Sequence, residues 1–344
     1  MLINTDYITP AELTGYVRAG AMDWARNQFS LARWLPNNPI DDLDFRFTRG
    51  GEGLIEAASF RAYDAESPIG SRPGVVRISG ELPPISRKIR LGEYDRLKQR
   101  KLDDRIRGAL MTDAERMVRS IMARMELARG DALVNGKVTI SENGLAVEAD
   151  FGRSGTMSVA PATLWSDLVN STPLANLFTW RETYIATNGE LPGAIVTSTR
   201  VLNYMLRNAE VRQLASTAIG TPTLVAPTML QQVLEAHGLP PIYTYDAQVK
   251  VNGSATRVIA DDKLLLLPMA GDANSPDGSN LGATLWGTTV EATSPKYAIE
   301  LGEEPGIVAG SYEDEDPIAL WTKASAIGLP ILANPDLSMV ADVA

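Results

Sequence analysis

The residues best suited to chemistry are few and scattered. The chain has one histidine, His237, in the run "LEAHG", shortly after Glu235. An imidazole near a carboxylate, in a chain with many serines, is the raw material of serine–histidine hydrolysis. No nucleophile or orienting acid stands at a fixed spacing from it. A histidine closing an amphipathic helix is accounted for by attraction to the helix's carbonyl end. Glu313, Asp314, Glu315 and Asp316 put four carboxylates in a row. Calcium or magnesium binds such oxygens, but the ligand spacing and the turn glycine of a calcium loop are missing. A solvated or intersubunit acidic patch is the better reading. Asp272 and Asp277 in "GDANSPDG" make a similar, weaker case. "RGGEG" at 49–53 lacks the Lys-Ser/Thr of a phosphate loop. With no cysteine and one histidine, zinc and thiolate chemistry have almost no ligands to use. No enzyme, cofactor or metal site is expected.

Composition points the same way. The chain has 344 residues, 44% of them hydrophobic, enough for two domains or for one core with large excursions. No apolar run reaches the length of a membrane span. The start, "MLINTDYITPAEL", is not an export signal, so an intracellular product without a membrane partner is expected. Net charge is −10, unlike a typical nucleic-acid binder. The charge is uneven. Ile85 to Gly130 holds thirteen Arg or Lys against seven acids, while Glu291 to Leu320 holds eight acids and one lysine. Such polarity suits head-to-tail assembly, and equally suits two solvated faces. The stretch "ISRKIRLGEYDRLKQRKLDDRIRG" offers cations to phosphates but only Tyr94 for stacking.

Several elements can be read from the pattern. Thr9 and Pro10 in "TPAEL" cap a first helix. "FSLARWLPNNP" then breaks into an aromatic, proline-bearing segment. "DLDFRFTRG" alternates as a half-buried strand. "PIGSRPGVVRISGELPPIS" carries four prolines and three glycines and has no core of its own, which predicts a projecting loop. "TDAE" reads as a capping box at Thr112. From there Leu110, Ala114, Met117, Val118, Ile121, Met125, Ala128 and Ala132 form one apolar stripe, with Arg116, Arg119, Arg124 and Arg129 on other faces. The helix runs into a hairpin through Asn135–Gly136, and "SENG" turns that hairpin. "PATLWSDLV" and "PLANLFTWRETYIATNG" read as helices. Thr199 caps a helix after the strand "GAIVT", and "TMLQQVLEAHG" is a further short helix. "IYTYDAQVKVNG", "TRVIADDKLLLLP" and "GATLWGTTVEA" read as strands, and "DPIALWTKASAIGLPIL" as one or more sheet strands.

The order of these segments resembles the major capsid protein of tailed phages, of the lambda-type E family. The resemblance is carried by "YITPAELTGYVR", "WARNQFSLARWLPN", "PPISRKIRLGEYDRL", "MELARGDALVNGKVTI", "EADFGR" and "PIALWTKASAIGLPILANPDLSMV". It implies an α+β chain with the Johnson fold of tailed-phage coats. The implied parts are an N-terminal arm at 1–48, an extended loop at 49–90 and a peripheral domain at 91–189 with a spine helix at 112–135. An axial domain at 190–310 and a C-terminal return to the peripheral domain at 311–344 complete it. The implied function is self-assembly, as hexamers and pentamers, into the icosahedral shell around a double-stranded DNA genome. A separate scaffolding protein is the implied partner, with a decoration protein, a portal and weak contact with packaged DNA beside it. The implied place is the virion, assembled in the host cytoplasm. Expected intersubunit contacts are Trp24, Phe29 and Trp34 in the arm and Ile69, Val75, Val76 and Ile78 in the loop. Arg87, Lys88 and Arg90 are expected to face Glu313, Asp314, Glu315 and Asp316 of a neighbour. The alternatives are a ring-forming tail or connector protein, or a serine/histidine hydrolase.

Overall fold

The structure is a computed structural model that describes residues 2–27, 30–49, 76–94, 103–215, 222–275, 278–300, 305–315 and 318–344. Its helices are α1 (Pro10–Asn27), α2 (Asp103–Asn135), α3 (Pro173–Asn188), α4 (Thr199–Arg207), α5 (Ala209–Leu214) and α6 (Pro227–Ala236). The strands begin with β1 (Leu2–Ile3), β2 (Asn37–Pro39), β3 (Asp44–Arg49), β4 (Val76–Glu81), β5 (Pro84–Leu91), β6 (Lys137–Glu142), β7 (Leu145–Asp150) and β8 (Ser158–Val159). They continue with β9 (Ala194–Thr197), β10 (Ile242–Thr244), β11 (Gln248–Val251), β12 (Ser254–Arg257) and β13 (Lys263–Leu267). The last are β14 (Gly282–Gly287), β15 (Val308–Glu315), β16 (Ile318–Leu332) and β17 (Met339–Asp342).

The long helix α2 has 33 residues, about 50 Å at 1.5 Å per residue. It begins at Asp103, not at Thr112. The Thr112 hydroxyl donates back to the Gly108 carbonyl at 2.9 Å, so "TDAE" lies inside the helix and caps nothing. The far end is closed from outside. Arg153 donates to the carbonyls of Leu133 (2.8 Å) and Val134 (2.6 Å), and the Ser338 hydroxyl donates to Leu133 (2.8 Å). Gly136, at φ 66°, then turns the chain into the β6–β7 hairpin. At Gly130 the helix passes so close to Val258 that a Cβ would meet the Val258 carbonyl at 2.4 Å.

Strand β16 organises the first sheet, of order β1-β15-β16-β14-β2 with β5 also on β16. β15 and β5 flank its first half, antiparallel on opposite edges, and β14 pairs with its second half. Alternation gives the sheet two faces. Leu320, Ala324 and Ala326 join Leu110, Met117, Ile121 and Met125 of α2 and Leu13 and Val17 of α1 in one apolar cluster. The opposite face carries Trp321, Lys323 and Ser325. There Lys323 Nζ (2.5 Å) and the Ser325 hydroxyl (2.9 Å) both donate to Glu291. Burial alone raises the Glu291 pKa, but these donors outweigh it and hold the carboxyl below its ordinary value.

The second sheet runs β10-β9-β13-β17-β8 over a larger cluster that includes Trp34, Trp165, Trp180, Tyr184 and Leu264 to Leu267. Several expectations change here. Residues 161–169 form turns, because Asp167 accepts the Val169 and Asn170 amides, each at 3.1 Å, while Trp165 is fully buried. Ser198, not Thr199, caps α4. β14 joins the first sheet through β16 and not the strands of 190–270. The final segment divides. β16 lies on α2, whereas β17 pairs with β13, its apolar residues completing that core.

Where it is described, the segment expected as an arm packs on its own chain. The Thr14 hydroxyl exchanges hydrogen bonds of 3.1 Å with both backbone groups of Ala309 in β15. Arg129, placed by the sequence outside the apolar stripe, is fully buried and paired with Glu126 at 3.0 Å. Arg129 also donates to Thr284 (2.8 Å) and Asn37 (2.6 Å). Glu126 accepts from the Leu31 amide (2.8 Å), the Ser30 hydroxyl (3.2 Å) and the Tyr245 hydroxyl (2.6 Å). Burial, and next the Glu126 charge, push the Tyr245 pKa far up, so it stays a donor. One ion pair thus ties the helix to the arm, to the first sheet and to the loop after β10.

Two measurements check this packing. Glu126→Gln leaves Arg129 charged and buried without its counter-ion, and should cost about 3–5 kcal/mol in denaturant unfolding. For Glu291, whose folded pKa is depressed, the stabilisation is present above the unfolded carboxylate value of about 4.3 and is lost as pH falls through the folded value. Melting curves should therefore separate wild type from Glu291→Gln at neutral pH and converge in acid, once pH has fallen below the folded value.

Candidate assembly surface

The expected contact residues do not form one patch. Trp34 is corrected by the structure. It is 1% exposed, donates Nε1–H to the Pro268 carbonyl at 2.9 Å and meets Tyr243 edge-on at 6.4 Å. An indole already buried in its own chain offers nothing to a neighbour. Trp24 lies near the end of α1, and its side chain is outside the described part; Phe29, Ile69, Val75 and Asp316 lie outside the described residues altogether. Val76 and Ile78 sit in β4, opposite Arg49 and Thr48's neighbour Phe47 in β3.

The three cations of β5 are split by the strand's alternation. Arg87 points to the helix face, donating to the Ser120 hydroxyl of α2 at 2.6 Å. Lys88 and Arg90 point to the other face, 4.5 Å and 6.0 Å from the Trp321 ring centroid. Trp321 in turn stacks on Tyr312 at 6.4 Å. This row of cation, indole and phenol crosses three strands, β5, β16 and β15. Cations over an exposed ring gain about 0.5–1 kcal/mol.

Glu313, Asp314 and Glu315 end β15, at the turn into β16. Glu313 is opposite Leu320, which is opposite Leu91. The acids and Arg90 therefore sit near the same end of one sheet, two strand spacings or about 9.6 Å apart. His237 follows α6, its ring edge-on to Phe178 at 5.7 Å and its carbonyl accepting from Arg181 at 3.0 Å. Among the described residues no cluster of His, Asp and Glu is arranged to hold a metal ion, and no helix is long and apolar enough to cross a membrane.

Pattern reading missed the buried pairing of Glu126 with Arg129. It left a faint signal, two charges at i,i+3 within the run of the apolar stripe.

Comparison with known proteins supplies the identity. The model of the family described as phage major capsid protein E matches residues 47–343. Among curated proteins, no sequence matches the chain. The fold is similar to that of a crystal structure described as the capsid protein of a prophage of E. coli CFT073. That match has 15% identity and a TM-score of 0.65, over 98% of this chain and 99% of the other. A phage-related protein of Bordetella bronchiseptica RB50 matches at 12% identity and a TM-score of 0.56, over 96% and 95%. With most of its length matched by that family's model, on a capsid-protein fold, the chain belongs to the phage major capsid protein E family and is a shell protein of the virion.

Proposed function

We propose that many copies tile a closed icosahedral shell as hexamers and pentamers around the packaged double-stranded DNA of a tailed phage. The family match over residues 47–343 carries this reading. Three features support it. The long helix and the β16 sheet make an elongated, braced body. The arm is held in cis by α2 and β15, so each copy enters assembly with that part already ordered. Sequence charge is uneven, basic from Ile85 to Gly130 and acidic from Glu291 to Leu320, which favours contacts between different patches of identical copies.

In this reading the distal part of the loop expected at 49–90, with Ile69, Val75, Val76 and Ile78, reaches over the adjacent copy, while β5 at its end stays paired with β16 of its own chain. Trp24 and Phe29 serve as arm contacts, and Trp34 stays inside. The acids from Glu313 to Asp316 meet cations beside the long helix of the next copy. A scaffolding protein, supplied separately, directs curvature, and a decoration protein and a portal complete the particle. Contact with DNA is weak, since a net-negative wall does not hold a polyanion. The protein works without catalysis.

Electron microscopy of particles from the expressed protein tests the proposal. Closed shells with fivefold and sixfold units are expected; single rings of fixed number would mark a tail or connector component. His237→Ala should leave shell yield unchanged. A hydrolytic activity that disappears with that substitution would instead favour an enzyme.

A further inference from the structure

A trough runs beside α2, on the helix side of the first sheet. One wall is β5, whose outer edge pairs with no strand among the described residues. The other wall is made of two hairpin tips, Asn143–Gly144 between β6 and β7 and Asn252–Gly253 between β11 and β12. Both asparagines stand at φ 49°, the left-handed conformation that two-residue Asn-Gly turns require. The trough has two adjoining parts, of about 700 and about 1120 Å³, which share Ile85, Arg124, Leu127, Glu142 and Val251. The larger part is lined by Arg87, Arg116, Arg119, Arg124 and Lys250 against a single carboxylate, Glu142. Arg124 pairs with Glu142 at 3.0 Å, and Arg116 with Asp113 at 3.3 Å. Arg119 and Lys250 are exposed and have no ion-pair partner among the described residues. In a chain of net charge −10, this is a concentrated positive surface awaiting an anion.

We infer that the trough receives the acidic β15–β16 turn of a second copy. The inference rests on the shell reading and names the receiving surface for Glu313 to Asp316. Of the three cations first expected there, only Arg87 faces the trough; Lys88 and Arg90 are turned over Trp321 on the opposite face. The turn matches the trough in chemistry. It carries four consecutive carboxylates and, next to them, Ile318, which is 55% exposed. The trough sets five cations beside Ile85, Ile121, Leu127 and Val251. An apolar wall suits a peptide turn better than it suits a phosphate backbone. The turn cannot reach its own trough. Register puts it beside the Leu91 end of β5, whereas the trough lies at Ile85 to Arg87. That is about 13–20 Å along a paired strand that cannot bend back. The two patches differ, so the contact is heterologous, and repeated copies close a ring when the rotation allows.

A charge swap tests this in the full chain. Arg119→Glu with Lys250→Glu should cut shell yield at least about tenfold through like-charge repulsion, with circular dichroism melting unchanged. Adding Asp314→Lys and Asp316→Lys in the same chain should restore it. Wild-type yield from the first variant overturns the pairing. So does failure of the four-substitution chain to recover, the outcome expected if packaged nucleic acid or residues 50–75 fill the trough. The chain has no cysteine, so Lys250→Cys with Asp314→Cys gives a second reading. Assembled particles should yield disulfide-linked ladders on non-reducing gels, and absence of a ladder overturns the contact. Each of these failures leaves the unsubstituted chain forming shells; if that chain forms none, the shell reading itself fails.

Discussion

A carboxylate and a guanidinium share the interior only when their polar atoms are answered, and the Glu126–Arg129 pair shows what that demands. Its partners come from the arm (Ser30, Leu31, Asn37), from the first sheet (Thr284) and from the loop after β10 (Tyr245). Such a pair adds little net stability over a well-packed apolar replacement. Its effect is on specificity. Each partner must arrive at one position, so segments far apart in sequence are locked in one register about the long helix. Asn37 extends the network, since its side-chain oxygen also accepts from Trp286 at 2.9 Å.

The first sheet divides labour between its faces. One face binds α1 and α2 in an apolar cluster. The other holds the Lys323–Glu291 pair and the row of Lys88, Arg90, Trp321 and Tyr312. Because side chains alternate along β5, neighbouring cations are dispatched to opposite sides of the molecule. A run of basic residues that looks like one patch on paper becomes two surfaces of different character. One is stacked on an indole in the same chain, and the other opens onto the trough.

Much of the architecture was legible because it depends on local periodicity and turn chemistry. The stripe from Leu110 to Ala132, the Asn-Gly turns and the long apolar strand at the end all follow from those rules. What was not legible depends on tertiary partners. Trp34 looks like an exposed anchor until Pro268 and Tyr243 are brought beside it. Arg129 looks like a surface charge until Asn37 and Thr284 answer it. Thr112 looks like a cap, yet its hydroxyl finds the Gly108 carbonyl of a helix that had already begun. The surface proposed for assembly was the least legible part, since the trough is formed by two hairpins and an edge strand distant in sequence.

In the shell protein, the segment around Ser30, Leu31 and Asn37 is thus fastened to its own chain by a buried ion pair. Hydrogen exchange on the unassembled chain measures that fastening most directly. The amides of Leu31, Asn37 and Ile40, which donate to Glu126, to the Ala273 carbonyl in the loop before β14 and to the Trp286 carbonyl of β14, should exchange as slowly as those in the middle of α2. Exchange of that segment at the rate of free peptide, with slow exchange appearing only in shells, would show that the arm is ordered by its neighbours and not by Glu126 and Arg129.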